Sequence, residues 1–304
     1  MANISIAGAG IAGPAAALAL LNAGHDVTIY ESRQPEDVAS SGVIGITEVN
    51  CTVLRPLGVD LNEIALDNLY HEWKDGGMSI HRFTTEKFVV WSAVHRILTE
   101  AAQTAGAAFE WGTPAPTTGI VVQASGLRYA RSRGLRPTPR YLVFRGLSTV
   151  PTDFAWLSLN DPQKRFSFKL ASTPVGAAWE LYVHRDSFPL GSQDADALPP
   201  ECELLPEEFQ HITRNSVTLA TSAISDWEVA PKIRDGNTLS IGDANGGQRP
   251  HTGMGANLAI NEALSLPALL HDTPQTSQLE RDLIAARVKQ HARGIAMGQM
   301  VMGV

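Results

Sequence analysis

Gly8-Ala9-Gly10-Ile11-Ala12-Gly13, near the front of the chain, is the stretch from which the fold is read. Residues 3–7 before it form a short, partly apolar strand, and residues 14–23 after it are rich in Ala and Leu, which favour helix. Gly8 makes the tight turn out of the strand, Gly10 lets backbone approach a pyrophosphate, and Gly13 lets the helix pack close to the strand. The helix opens at Ile11 and Ala12, and its first amides point at the phosphates. Pro14 suits a first helical turn, where its missing N–H costs little. Gly24 stands where a C-terminal glycine is expected, and residues 27–30 make a second β-rich run closed by Glu31. The whole is a βαβ unit of about 30 residues.

Glu31 lies near the offset of roughly 20 residues at which a dinucleotide fold places its ribose-binding acid. A carboxylate there accepts hydrogen bonds from ribose hydroxyls and repels a 2′-phosphate, which leaves FAD or NAD. Arg33 follows closely and is either an adenosine contact or plain surface. A second motif narrows the choice. Gly242-Asp243-Ala244-Asn245-Gly246-Gly247-Gln248-Arg249-Pro250-His251-Thr252-Gly253-Met254-Gly255-Ala256-Asn257 follows the short strand 238–241. Asp243 then sits at a carboxyl end beside the first nucleotide site, in place to hold ribityl hydroxyls. Gly253, Gly255 and Asn257 open a helix whose positive end faces the pyrimidine edge of a flavin, where reduction develops negative charge. Two glycine-rich helix starts, one at each end of the chain, point to FAD and imply that the ends meet around it.

Residues 58–64 read as a loop leading into a short helix. Ser92 is the expected N-cap of a helix with Val94, Leu98, Ala101, Ala102 and Ala105 on one face. Residues 120–123 are a buried-strand candidate ending at Ala124-Ser125-Gly126. Beyond residue 140 the texture changes: 166–170 and 179–184 alternate with period two, like half-buried antiparallel strands. Residues 194–206, with Pro199-Pro200 and four acids, read as an exposed loop. Residues 255–270 and 278–299 are helices, and the apolar tail 294–304 is the packed end of the last one. The fold class is therefore α/β: a Rossmann-like FAD-binding domain (1–72, 88–139 and 230–304) split by a β-rich substrate-covering domain (73–87 and 140–229).

Apolar residues make up 44% of the 304 and charged residues 18%, the composition of a globular chain with ample core. A net charge of −7 leaves no basic footprint for a nucleic-acid partner. Cys51 and Cys202 alone suggest neither a disulfide framework nor a zinc site. That fits a reducing cytoplasm, and no secretory leader precedes the first strand. No apolar run reaches the roughly 20 residues of a membrane span.

With both motifs in view, the sequence resembles the FAD-dependent aromatic hydroxylases. These are the group A flavoprotein monooxygenases that include salicylate hydroxylase and para-hydroxybenzoate hydroxylase. Gly242, Asp243, Ala244, Pro250, Gly253, Gly255, Ala256 and Asn257 match that family's second FAD motif in register, and Ile260-Asn261-Glu262-Ala263 continues it. Residues 42–61, which contain Leu57-Gly58-Val59, and the basic helix 280–293 also look like family segments. The chain differs from the pattern at Gly246 (a family His), Trp91 (Arg) and Ser125 (Asp), and residues 112–119 replace a β-meander. The resemblance implies an FAD domain of the glutathione-reductase/para-hydroxybenzoate-hydroxylase type and an NAD(P)H-dependent monooxygenase. NADH or NADPH would reduce FAD as a transient reductant. O2 would then add at flavin C4a, and the hydroperoxide would give one oxygen atom to a small organic substrate, aromatic or polyketide-like. The alternatives are an oxidoreductase of the same fold without oxygen insertion, or a two-component or non-redox flavoprotein. A two-component enzyme would need a separate flavin reductase as partner.

No catalytic base follows from the sequence. His251 is the one candidate for a polar group near the flavin, since residues 250–252 should border the ring; a solvent-facing loop histidine is the equal alternative. His81, Tyr182 and His184 fall in the substrate-covering part. Tyr182 and His184 share a strand face, taken as the outer face in preference to a pocket lining. His95 is read as a helix-surface residue, and the tryptophans as core, with Trp91 the exception to watch.

Overall fold

The computed structural model describes residues 1–35, 42–67, 69–74, 77–82, 85–161, 163, 166–184, 198–271 and 273–302. β1 (Asn3–Ala7), α1 (Ala12–Asn22) and β2 (Asp26–Glu31) form the leading βαβ unit. The chain continues through β3 (Val43–Thr47), α2 (Glu48–Leu54), β4 (Leu69–Lys74), β5 (Gly77–Arg82) and β6 (Glu86–Val90). α3 (Trp91–Thr104), β7 (Ala108–Trp111), β8 (Ile120–Gln123) and α4 (Leu127–Ser132) follow. Next come β9 (Tyr141–Ser148), β10 (Trp156–Asp161), β11 (Phe166–Thr173), β12 (Gly176–His184), α5 (Glu207–Arg214) and β13 (Ser216–Ile224). β14 (Arg234–Asp235), β15 (Thr238–Ser240), α6 (Gly255–Leu269) and α7 (Pro274–Met302) complete it.

Six strands in the order β14-β15-β8-β1-β2-β7 make the first sheet, parallel except at β14. β1, β8 and β15 are neighbours, so the turns that follow them, at Gly8, Ala124 and Gly242, emerge side by side at one edge. In a parallel sheet the carboxyl edge is where a ligand crevice forms. α1 is buried along most of its length because its Ala and Leu side chains pack against the sheet below and α6 alongside.

The second sheet has the order β13-β9-β12-β11-β10-β4-β5 and is antiparallel except where β10 meets β4. β3 and β6 pair as a separate two-stranded ribbon. Alternation sorts the side chains of the large sheet. Phe144, Phe168, Leu170 and Trp179 pack on one face with Phe209 and Ile212 of α5. Tyr141, Arg145, Lys169, Glu180 and Tyr182 take the other face, turned toward Gly42 and the end of α7.

Several expectations need correction. The strands around 166–170 and 179–184 are covered on both faces, not one, since α5 lies on one side and Gly42 and α7 on the other; residues 177–183 are all buried. β4 begins at Leu69 and pairs with β10, so residues 69–72 join the second sheet instead of the 1–72 segment. α3 begins at Trp91 after an extended Val90; Ser92 lies inside its first turn and caps nothing, although Val94, Leu98 and Ala102 are buried as expected. Of the loop expected at 194–206, residues 194–197 lie outside the described residues. The rest is not an open loop: Pro200–Leu204 is a 3-10 turn, with Cys202 and Leu205 buried in the second core. α7 extends beyond 278–299 at both ends, and Gly294, Gly298 and Met302 are buried as the packed end requires. Among the described residues no helix is long and apolar enough to cross a membrane.

Candidate functional site

The three front glycines have different reasons to be there. Gly8 has φ +108° and its hypothetical Cβ would lie 2.8 Å from the Ala124 backbone, so the turn and the close approach of β8 both require glycine. A Cβ on Gly13 would lie 2.0 Å from the Gly8 carbonyl oxygen, which is how tightly α1 seats on the turn. A Cβ on Gly10 would meet nothing within 4 Å. The fold needs glycine at Gly8 and Gly13. At Gly10 it only keeps a space open, beside the amides that begin α1, and this is the room a pyrophosphate requires.

Glu31 ends β2 beside this loop. Its carboxylate accepts the Ala9 amide at 3.1 Å, the Arg33 amide at 3.0 Å, and the Arg33 guanidinium at 3.0 and 3.1 Å. Burial opposes the charge, but Arg33 and the two amides outweigh it and hold Glu31 down at about 2. Arg33 is exposed, yet it is not plain surface, because its amide and guanidinium clamp the Glu31 carboxylate. Because the shift is downward, the stability Glu31 contributes is present above the ordinary value of 4.5 and lost as pH falls toward about 2. Urea midpoints of the wild type and Glu31→Gln should therefore differ at neutral pH and converge on acidification. A constant difference would mean that the charge is not what stabilises.

His95 corrects the sequence reading. Its Nε2 donates to the Ala9 carbonyl at 2.6 Å, and its ring stacks on Trp91 at 5.1 Å. Burial pushes its pKa down. One helical turn brings Trp91 and His95 onto one face of α3, against the glycine loop. Trp91, at the Arg position of the resembled family, is therefore one half of an aromatic pair with His95, and the i, i+4 spacing carries the signal for it.

The back motif lands against the front one. A Cβ on Gly242 (φ +61°) would lie 3.3 Å from the Ala12 Cβ. Asp243 stands exposed at this edge, its Cβ close to Gly126. Beneath it Arg287 of α7, wholly buried, pairs with Glu262 of α6 at 2.6 and 2.9 Å, donates to the Gly246 carbonyl at 2.9 Å and lies 3.9 Å from Asp243. Glu262 also accepts the Gly242 amide at 2.7 Å. These two residues were visible only as parts of family-like segments, because their pairing is a long-range contact. Gly246, where the family has His, abuts Val229: a Cβ would lie 2.8 Å from the Val229 Cα, so no histidine fits this backbone.

Pro250–Thr252 forms a 3-10 turn, Gly253 follows with φ +66°, and α6 starts at Gly255. The first amides of α6, from Gly255 through Ala256 to Asn257, have no partner within the helix and face forward. The Asn257 side chain is not available to a ligand. Its Oδ1 accepts from the Thr47 amide and Asn50 Nδ2, both at 2.9 Å, and its Nδ2 donates to the Gly45 carbonyl at 2.8 Å. It ties α6 to β3 and α2, so any cofactor contact there is through its backbone.

His251 is not a solvent-facing loop residue. It lies 5.2 Å from the Tyr141 ring and 6.0 Å from the Tyr182 ring, and α7 comes close enough that a Cβ on Gly298 would sit 3.0 Å from it. Burial, helped by Lys169 and Arg249, pushes His251 down to about 3, so it is neutral at ordinary pH. Tyr182, expected on the outer face, is buried and turned inward, where its hydroxyl donates to Glu180. His184 is half-buried on the same face, while His81 sits exposed on the edge strand β5, with Nε2 3.1 Å from the Ser79 hydroxyl. Of the tryptophans, Trp156 and Trp179 are core and the others are only partly covered.

Solved structures share this fold. Klebsiella pneumoniae HpxO, crystallised with FAD and uric acid, has TM-score 0.77 and 18% identity over 99% of this chain and 89% of its own. For 2,6-dihydroxypyridine-3-hydroxylase from Arthrobacter nicotinovorans the values are 0.79 and 16%, over 99% and 92%. FqzB gives 0.80 and 14%, over 99% and 84%. No protein-family model matches the chain, and no curated protein sequence does.

Proposed function

We propose that this protein is an FAD-dependent monooxygenase that uses NADH or NADPH and O2 to place one oxygen atom in a small organic molecule. One observation carries the reading: both glycine motifs converge on the carboxyl edge of the first sheet, with open space kept at Gly10 and a ribose-competent carboxylate at Glu31. The fold it shares with an FAD-bound protein and a pyridine hydroxylase supports the same conclusion. The donors fit the cofactor: amides at the start of α1 for the pyrophosphate, Glu31 for the adenosine ribose, Asp243 for the ribityl chain, and the first amides of α6 for the flavin's electron-poor edge. FAD, when bound, supplies the redox and oxygen chemistry. The chain's part would be to hold it at that carboxyl edge, between the amides that begin α1 and those that begin α6. His251 closes the far side of the turn before α6 by packing on Tyr141 and Tyr182 of the second sheet. With residues 69–72 moved to the second sheet, the division of 1–67, 88–139 and 230–304 from 69–87 and 140–229 then assigns cofactor and substrate to separate cores. Two buried free thiols, Cys51 and Cys202, suit a reducing cytoplasm.

The test is the visible spectrum and melting temperature of the purified chain with FAD, before and after anaerobic NADH or NADPH. The expected result is bound flavin, a raised melting temperature by ligand linkage, and bleaching by one nucleotide. Flavin that neither nucleotide bleaches would favour a two-component or non-redox role. No flavin uptake would overturn the proposal.

A further inference from the structure

Two neighbouring peptides of the glycine loop are held by side chains from different elements. The Ala9 amide donates to Glu31 of β2 at 3.1 Å, and the Ala9 carbonyl accepts from Nε2 of His95 on α3 at 2.6 Å. A carbonyl only accepts, so Nε2 carries the proton. The peptide between Ala9 and Gly10 is trans, so its carbonyl and its N–H point in opposite directions. With the carbonyl drawn toward α3, the Gly10 amide is turned away from it. That amide makes no hydrogen bond among the described residues, and an added Cβ on Gly10 would meet nothing within 4 Å. The one group of this peptide without a protein partner is therefore the donor that faces the opening.

That orientation needs a lock. Turning the peptide plane over rotates ψ of Ala9 and φ of Gly10 together, and glycine accepts φ of either sign. The residue that keeps the space open therefore also leaves its own amide free to turn. His95 opposes the turn, because a flipped peptide would leave the carbonyl of wholly buried Ala9 without its donor. The imidazole is itself held. Trp91 lies flat against it, with 5.1 Å between ring centres and 9° between planes, and the Trp91 amide donates to the Gly42 carbonyl at 2.8 Å. Val94 and Leu98 of the same helix are buried in the first core and fix α3 beside the loop. We propose that His95 is a positioning residue for the cofactor's phosphates: it aims the Gly10 amide at a pyrophosphate oxygen, and Trp91 keeps the imidazole in the plane that does so. The inference rests on the dinucleotide reading of the loop in calling the ligand a pyrophosphate, and not on the flavin chemistry.

The experiment is an NMR titration of the isotope-labelled full chain with ADP and with adenosine, since ADP carries the pyrophosphate and no flavin. In the wild type the Gly10 amide proton should move downfield with ADP, as a donor to an anion does, and stay in place with adenosine. His95→Phe keeps a flat ring on Trp91 and removes the donor. It should weaken ADP and FAD by about 10- to 100-fold, the worth of one charge-assisted hydrogen bond, and leave adenosine unchanged. His95→Gln, which restores an N–H donor at similar reach, should recover most of the loss. A Gly10 amide indifferent to ADP, equal losses for ADP and adenosine in His95→Phe, or no recovery in His95→Gln would each overturn the inference. The expected ADP pattern without FAD binding would support the inference and overturn the flavoprotein reading instead. A wild type that binds neither ADP nor FAD would overturn both.

Discussion

Gly10→Ala is expected to weaken FAD binding by about 10- to 100-fold while leaving the melting temperature of the FAD-free chain unchanged, and Gly13→Ala to damage both. The contrast follows from where the added methyl goes. At Gly10 it meets nothing in the protein, so the fold should not register it beyond the roughly 0.5 kcal/mol of an ordinary surface change. On the proposed function it would occupy the space through which backbone amides reach a pyrophosphate, and losing a charge-assisted hydrogen bond costs about 1.5–3 kcal/mol. At Gly13 the methyl would stand 2.0 Å from the Gly8 carbonyl oxygen, a backbone atom that cannot rotate away. α1 must then lift off β1, an overpacking cost at or above the usual ~3 kcal/mol. Thermal melts and fluorescence titration with FAD read the two effects separately. If Gly10→Ala melts lower without FAD, or binds FAD normally, Gly10 does not mark the pyrophosphate site.

The second large effect is expected at Arg287. Arg287→Met leaves Glu262 buried with no cation and frees the Gly246 carbonyl, in a site where both partners are almost wholly covered. Removing one member of such a pair typically costs about 3–5 kcal/mol. The loss should depend on pH with a definite sign. Without Arg287 the Glu262 carboxyl titrates with a raised pKa, and a raised carboxyl is destabilising once pH climbs through it. Denaturant midpoints should therefore lie far below wild type near pH 8 and recover part of the gap toward pH 5, as Glu262 takes up a proton. Glu262→Gln combined with Arg287→Met should recover stability at the higher pH as well. A pH-independent loss, or no rescue by the double change, would mean that Arg287 acts by packing alone. The pair also fixes the Gly-Asp turn through the Gly242 amide, so FAD affinity should fall with stability in the single variant.

Local pattern was enough for much of this protein. The βαβ unit, Glu31 at its end, the turn before α6 and the helical tail all depend on residues within one or two turns of each other. Glycine spacing and side-chain period report such relations directly. The site's remaining features join distant parts of the chain. Asn257 reads as a cofactor residue in the motif, yet its side chain is taken by Thr47, Asn50 and Gly45, a pairing no local pattern encodes. Tyr182 lies inward and not on the expected outer face, because period two tells which residues share a face and not which face another layer will cover.

The sequence by itself determined the α/β class, the two glycine-rich helix starts and the acid between them. Backbone conformation near a glycine or a helix start is set by sterics and hydrogen bonds among neighbours. Only the tertiary structure decided that Arg287 and Glu262 support the Gly-Asp turn, that His95 reaches the glycine loop, and that Lys169, Tyr141 and His251 gather around Tyr182. Those relations depend on which strands become neighbours and which faces become interiors. Burial then turns ordinary polar side chains into groups that must find a partner.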